Sequence, residues 1–262
     1  MMFNKYWLQQ ALTMTDRNQY TPRAKRIGLI VPSSNTNIEP DFAHLCPAGV
    51  TIHVARSGGY DVNAIPDSAE MQKFVRYSLD QNLSDLKDAR VDMIAYGCTS
   101  ATLSEGPQFD AQFCALLQQK SGVPAVTTAG ALVEAIHSLG VKRVAFTSPY
   151  VKALSAEAVD YLVKSNIDVV AEVVFEHELN SLEQNALTPQ DAFDMALKTD
   201  HKDAQAIVIS CTDYRALEAI DAIEAKLGKP VITSNQALMF ACLVRLKVAR
   251  QTTQYGGQLF SI

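Results

Sequence analysis

Two stretches of this chain repeat one another: VDMIAYGCTSATL around Cys98 and AQAIVISCTDYRAL around Cys211. Each is an apolar, strand-like run, then a small or polar residue, then Cys-Thr, then a helix start. The echo extends to SGVPAVTTAGALVEAI (Ser121 to Ile136) against LGKPVITSNQALMFAC (Leu227 to Cys242). It continues more faintly in RIGLIVPSSN (Arg26 to Asn35) against KRVAFTSPY (Lys142 to Tyr150). The paired landmarks Pro32/Pro149, Cys98/Cys211 and Pro124/Pro230 stand 117, 113 and 106 residues apart. One order of landmarks at a slowly drifting offset marks a duplicated half whose loops have changed length. The 262 residues then divide into two lobes of about 100 residues each. Two such halves face to face set two thiols across one cleft, an arrangement suited to proton transfer on both faces of a small substrate.

The chain alternates strand-like and helix-like segments. Short apolar runs rich in branched residues occur at 27–31, 50–55, 91–96 and 124–128, and again at 143–147, 167–175, 206–210 and 231–234. Helical patterns fall between them at 68–87, 108–120, 128–139, 155–164, 189–199, 216–227 and 236–246. Near-continuous apolar strands between amphipathic helices mean parallel sheets covered on both faces. The fold class expected is α/β: two pseudo-symmetric, doubly wound lobes, each with a four-stranded parallel sheet and the active site in the cleft between them. Ligands of such sheets sit beyond the carboxyl ends of the strands. Pro32-Ser33-Ser34-Asn35, Cys98-Thr99-Ser100, Ser148-Pro149-Tyr150 and Cys211-Thr212-Asp213 all fall at that edge.

Composition removes several function classes. A net charge of -5 with no basic run argues against a nucleic-acid partner, which needs a cationic face. No apolar stretch approaches the ~18 residues a membrane span requires. The start, MMFNKYWLQQALTM, has neither the continuous apolar segment nor the cleavage site of a signal peptide. Five cysteines without disulfide or CxxC spacing fit free thiols in a reducing cytoplasm. The histidines have no metal-ligand spacing, and no GxGxxG phosphate loop follows any strand, so chemistry without metal or cofactor is expected.

VPSSNTNIE together with GCTSAT, SPY and SCTDY resembles the aspartate/glutamate racemase superfamily, within its branch of maleate cis-trans isomerases and arylmalonate decarboxylases. The resemblance covers about residues 26 to 258. It implies a cofactor-free site between two lobes, with the C-terminal helix returning to the first. Residues 1–25 lie outside the resemblance; polar with a small apolar patch (Met1, Phe3, Tyr6, Trp7, Leu8, Leu12), they read as an N-terminal arm or helix that packs on a subunit of a homo-oligomer. The lobes that the resemblance implies are then 26–130 plus 235–262, and 131–234. It further implies Cys98 and Cys211 as the catalytic pair, Asn35 holding a substrate carboxylate and Tyr150 donating its hydroxyl to one. Thr99, Ser100 and Thr212 would form an oxyanion cradle, and Asn180 and Asn185 compete for a second carboxylate-binding position. The chain is a mosaic. Maleate isomerases usually follow the first cysteine with apolar residues, whereas Thr99-Ser100 matches arylmalonate decarboxylases, which typically have glycine in place of Cys98. Cys211-Thr212-Asp213 looks more like the amino-acid racemases.

Removing a proton α to a carboxylate builds a dianionic enediolate, which preorganised hydroxyls and helix N-termini stabilise. A thiol at a helix start is expected to have a depressed pKa and so to serve as base or nucleophile near neutral pH. The functional reading is a cofactor-independent isomerase or racemase of a small carboxylate, with a malonate-type decarboxylase as the same-site alternative. A non-catalytic small-carboxylate binding protein is the alternative from another class. Blander roles compete at individual positions: Asn35 can cap the helix that follows it, Tyr150 can pack between lobes, and Asp213 can complement a helix dipole. Cys46, Cys114 and Cys242, outside any motif, read as core.

Overall fold

The structure, a computed structural model, describes residues 25–249 and 255–262. The arm expected at 1–25 lies, apart from Lys25, outside the described residues.

All eight expected strands form, and all pair in parallel. In the first lobe they are β1 (Lys25–Pro32), β2 (Val50–Ser57), β3 (Met93–Tyr96) and β4 (Ala125–Thr127), in the spatial order β2-β1-β3-β4. The second lobe repeats this with β5 (Arg143–Ser148), β6 (Asp168–Val174), β7 (Ala206–Ile209) and β8 (Val231–Thr233), ordered β6-β5-β7-β8. Identical topology in both sheets is the three-dimensional form of the sequence duplication. In each lobe the order reverses between its first and third strands, the switch point where such folds bind ligands. The loops leaving those strands carry Asn35 and Cys98 in one lobe, Tyr150 and Cys211 in the other.

Helices begin where the sequence supplies caps. Thr127 accepts from the Gly130 N–H at 3.1 Å, and its echo Thr233 accepts from the Gln236 N–H at 3.3 Å. Thr188 forms a reciprocal capping box with Asp191 ahead of the helix Pro189–Thr199. One expectation fails. The pattern at 68–87 is not one helix but two, Ser68–Arg76 and Leu79–Asp88, because Ser78 turns left-handed (φ 53). A single residue of that kind interrupts the i→i−4 ladder and re-aims the chain. The helix start expected after Cys98-Thr99 forms as the short helix Ser100–Leu103, whereas turns follow Cys211-Thr212 and the chain becomes helical only at Leu217, so Asp213 has no helix dipole to complement. A short helix at Ser181–Asn185 adds to those expected.

The main apolar core runs unbroken between the lobes, joining Ile27, Leu29 and Met93 of the first sheet to Phe146, Ile207 and Ile209 of the second. A smaller core, with Phe74, Leu83 and Phe113, covers the opposite face of the first sheet. The last helix, Ser234–Leu246, is buried along nearly its whole length and packs on the helices Ile38–Leu45 and Thr128–Ser138. Polar ties reinforce this join: Tyr161 donates to Asp110 at 2.9 Å and Ser68 to Glu157 at 2.7 Å. Among the described residues no helix is long and apolar enough to cross a membrane.

Candidate active site

One cleft gathers the carboxyl-end loops of both lobes. Its walls include Pro32, Ser34, Tyr60 and Cys98-Thr99-Ser100 from the first lobe, and Tyr150, Gln184 and Cys211-Thr212-Asp213 from the second. Pro66, Met71 and Phe74 close its apolar side. It holds about 450 Å³ of empty space, part of it open to solvent. Among the described residues, no lysine, arginine or histidine lines it and Asp213 does, so an anion placed there meets neutral donors and one carboxyl group.

Both thiols of the repeated frames reach this cleft. Cys98 is buried beside the start of the short helix Ser100–Leu103, its Sγ 3.7 Å from the Ser100 Oγ. Burial pushes this thiol up from 9.0 to about 11, against the Ala101 N–H and the Ser100 hydroxyl, which favour the thiolate. Cys211 Sγ accepts from the Asp213 N–H at 3.3 Å, yet burial and then the Asp213 carboxylate raise that thiol further still. The depressed thiol pKa expected from a helix start is therefore corrected. The local N–H groups are present, but desolvation of the charged form is the larger effect.

Tyr150 lines the cleft together with both cysteines, its hydroxyl 3.2 Å from the Ser210 Oγ. Burial, and after it the charge of a Cys211 thiolate, hold its phenol well above the usual range, so it is a donor here. Thr99 donates to Ser234 Oγ at 3.0 Å, at the start of the helix Ser234–Leu246, and Thr212 donates to the Gly97 carbonyl at 3.1 Å, a tie that crosses between the cysteine loops. Ser100 is half-buried and donates toward Met71 Sδ at 3.2 Å.

Asn35 is fully buried behind the cleft wall. Its Oδ1 accepts from the N–H groups of Asn37 and Ile38, both at 3.0 Å, which caps the helix Ile38–Leu45, while its Nδ2 donates to Thr212 at 3.1 Å. The capping role thus coexists with an amide aimed at the second cysteine loop. Asn180 and Asn185 separate cleanly. Asn180 caps the helix Ser181–Asn185 in a capping box. Asn185 donates to Asp213 Oδ1 at 2.7 Å and to Thr36 at 2.8 Å. Asp213 also receives Asn37 Nδ2 at 3.2 Å, and burial lifts its carboxyl from 3.8 to about 6 against those donors.

Several residues at the site carried no motif. Gln184 and Ser181 enter from the short helix of the second lobe, and Tyr60 from the loop after β2, bonded to Ser34 at 2.7 Å. Asn37 bridges the lobes through Asn185 and Asp213. Gly59 precedes Tyr60 at φ +88, with the Tyr77 ring only 2.4 Å from where a Cβ would sit, so a side chain there would clash. Among the described residues, no three His, Cys, Asp or Glu side chains gather as a metal site would need.

Two equivalent α/β lobes, each delivering a cysteine from behind its third strand into a shared cleft, define a class of enzyme-like folds built by duplication. The chain belongs to the arylmalonate decarboxylase family, whose profile it matches over residues 27–260. It is 30% identical to a maleate isomerase of Geobacillus stearothermophilus over 248 residues, 89% of this chain and 96% of that protein. The crystal structure of the maleate isomerase Iso from Pseudomonas putida is 31% identical and has a TM-score of 0.83, covering 90% of this chain and 98% of its own. The arylmalonate decarboxylase of Bordetella bronchiseptica is 23% identical over 227 residues, 80% of this chain and 86% of that protein.

Proposed function

We propose that this protein is a cofactor-independent isomerase of a small dicarboxylate, with the cis-alkene diacid maleate as the first substrate to test. One observation carries the reading: a cysteine from each lobe lines the same small cleft, in a chain about 30% identical to maleate isomerases over nearly its whole length. Cys98, as thiolate, adds to one alkene carbon while Cys211 gives its proton to the other, leaving a single bond about which the chain of carbons rotates. Cys211 then takes that proton back as the C–S bond breaks and the double bond re-forms in the trans geometry. Atoms and charge balance, and both cysteines end as they began. The Ala101 N–H and Ser100 hydroxyl support the Cys98 thiolate. Tyr150 and Ser100 through their hydroxyls, Thr99 and Thr212 through their backbone N–H groups, and the second N–H of Asn35 are the neutral donors assigned to the substrate carboxylates. A reducing cytoplasm suits the five free thiols, and a homo-oligomer suits the N-terminal arm.

A second reading, decarboxylation of a malonate-type acid with Cys211 as proton donor, is favoured by the Thr99-Ser100 pair and by the family as a whole. A thiol at position 98 has no duty in that reaction. A panel of maleate, substituted malonates and amino acids, followed by NMR in D2O, separates the outcomes. Fumarate formation from maleate is expected. Deuterium exchange without alkene isomerisation, or loss of CO2, would replace the proposal by racemisation or decarboxylation.

A further inference from the structure

The last helix starts at Ser234, which is fully buried and does not line the cleft. Its single hydroxyl oxygen accepts two hydrogen bonds: one from the backbone N–H of Cys211 at 3.0 Å, the other from the Thr99 hydroxyl at 3.0 Å. Thr99 directly follows Cys98, so one atom touches both cysteine loops. Cys211 has φ 141, a backbone conformation that residues with a Cβ rarely adopt. Such a conformation persists only where the surroundings over-determine it, and it collects at functional positions. The Ser234 bond to the Cys211 N–H is a constraint of that kind. The first lobe is built differently. Cys98 is not among the residues of positive φ, and Thr128, which occupies the place of Ser234 in the repeated frame, donates to the Tyr96 carbonyl at 2.7 Å. The two halves have kept the hydroxyl and changed its task.

We infer that Ser234 is a positioning residue: it holds Cys211 in its strained conformation and sets that thiol in register with the Cys98 loop. The consequence is chemical. With φ held, the Asp213 N–H points at Cys211 Sγ at 3.3 Å. If Cys211 relaxes, that donor and the aim of the thiol across the cleft are lost together. The inference rests on the proposed use of Cys211 for its effect on turnover, but not for its effect on thiol reactivity.

The test is Ser234→Ala in the full-length protein, with two readouts. Iodoacetamide alkylation of Cys211, followed by peptide mass spectrometry with the half-buried Cys114, which has no bond to Ser234, as the internal reference, needs no substrate. It is expected to slow at least about tenfold relative to Cys114, as the thiolate loses its N–H donor. Turnover of the substrate found in the NMR panel is expected to fall on the order of 10²-fold in kcat with little change in KM, the cost of a misaimed group. Ser234→Thr, which keeps the hydroxyl that the first lobe's frame already uses, should restore both. A Ser234→Ala protein with a lowered melting temperature but unchanged Cys211 alkylation would overturn the inference, leaving Ser234 a purely structural residue. Should Ser234→Ala not fold, a folded Ser234→Thr protein with crippled Cys211 reactivity would overturn it equally. Altered alkylation with no activity on any panel substrate would sustain the inference and remove the proposed function instead.

Discussion

The side-chain amide of Asn35 donates to the Thr212 hydroxyl at 3.1 Å, and that hydroxyl donates in turn to the Gly97 carbonyl at 3.1 Å. Residues behind the first strand of one lobe, the third strand of the other and the approach to Cys98 are thereby joined through one oxygen. Thr212→Val keeps the shape of that side chain and removes its polarity, leaving a buried carbonyl and a buried amide without this partner. The expected loss is about 1–3 kcal/mol of stability, read from urea unfolding. An unchanged midpoint would mean that the three loops are held by packing alone.

The two cysteines should not be equivalent. If Cys98 is the nucleophile of a covalent cis-trans isomerisation, Cys98→Ser abolishes turnover, while Cys211→Ser costs on the order of 10²–10⁴ in rate. Steady-state kinetics on maleate checks this directly. Equal loss in both, with one-sided solvent exchange surviving in each, is instead the pattern of a two-base racemase. Near-full activity in both variants contradicts the thiol-pair mechanism.

Burial raises both cleft thiols, Cys98 to about 11 and Cys211 beyond it. Alkylation of Cys98 should therefore be slow at pH 7 and accelerate by roughly tenfold per pH unit up to about pH 10, tracking the thiolate fraction. Mass-spectrometric rate measurement across that range is the check. A plateau below pH 8 would restore the activated thiol that a helix start suggests.

Asp41 lies behind the site, buried on the helix Ile38–Leu45, where it accepts from Asn235 Nδ2 at 2.8 Å. Burial lifts its carboxyl from 3.8 to about 7, with the Asn235 bond acting the other way. The folded protein thus binds this proton more tightly than the unfolded chain does. The stability it contributes is complete below pH 4 and is lost as pH rises to 7, by up to about 1.4 kcal/mol per pH unit. Asp213, lifted to about 6, acts with the same sign. Asp41→Asn removes the charge and brings a donor to the otherwise unpartnered Asn235 Oδ1. Urea unfolding at pH 5 and pH 8 should show the variant gaining at pH 8 and losing pH dependence. A steeper slope in the variant would refute the assignment.

Much of the architecture was legible because parallel strands buried on both faces must be written as unbroken apolar runs, and eight of them stand out. The duplication pointed to Cys98 and Cys211, since a repeated frame at a strand end constrains both sequence and place. What stayed hidden has physical causes. The break at Ser78 is a left-handed serine with no glycine to announce it. The helix at Ser181 is too short for hydrophobic periodicity to reveal. Gln184 and Tyr60 reach the site through tertiary contacts far from any motif, and Asn37, although inside VPSSNTNIE, takes its partners Asn185 and Asp213 from the other lobe. Ser234 was within reach, since it occupies the place of Thr128 in the echoed frames, but its bond to Cys211 spans 23 residues. Thiol acidity was misjudged because a helix end is local, whereas desolvation belongs to the finished fold.

The unbroken core between the sheets bears on how such a chain arose. Each half presents an oily flank, with Leu29 and Met93 on one side and Phe146 and Ile209 on the other, now sheltered in a common interior. A solitary half would leave that flank in water, so neither half is built to stand alone. Joined in one chain, the two halves need not be identical. The divergence of Ser234 from Thr128, and of a strained cysteine from a relaxed one, is what a symmetric pair of identical chains had no means to acquire.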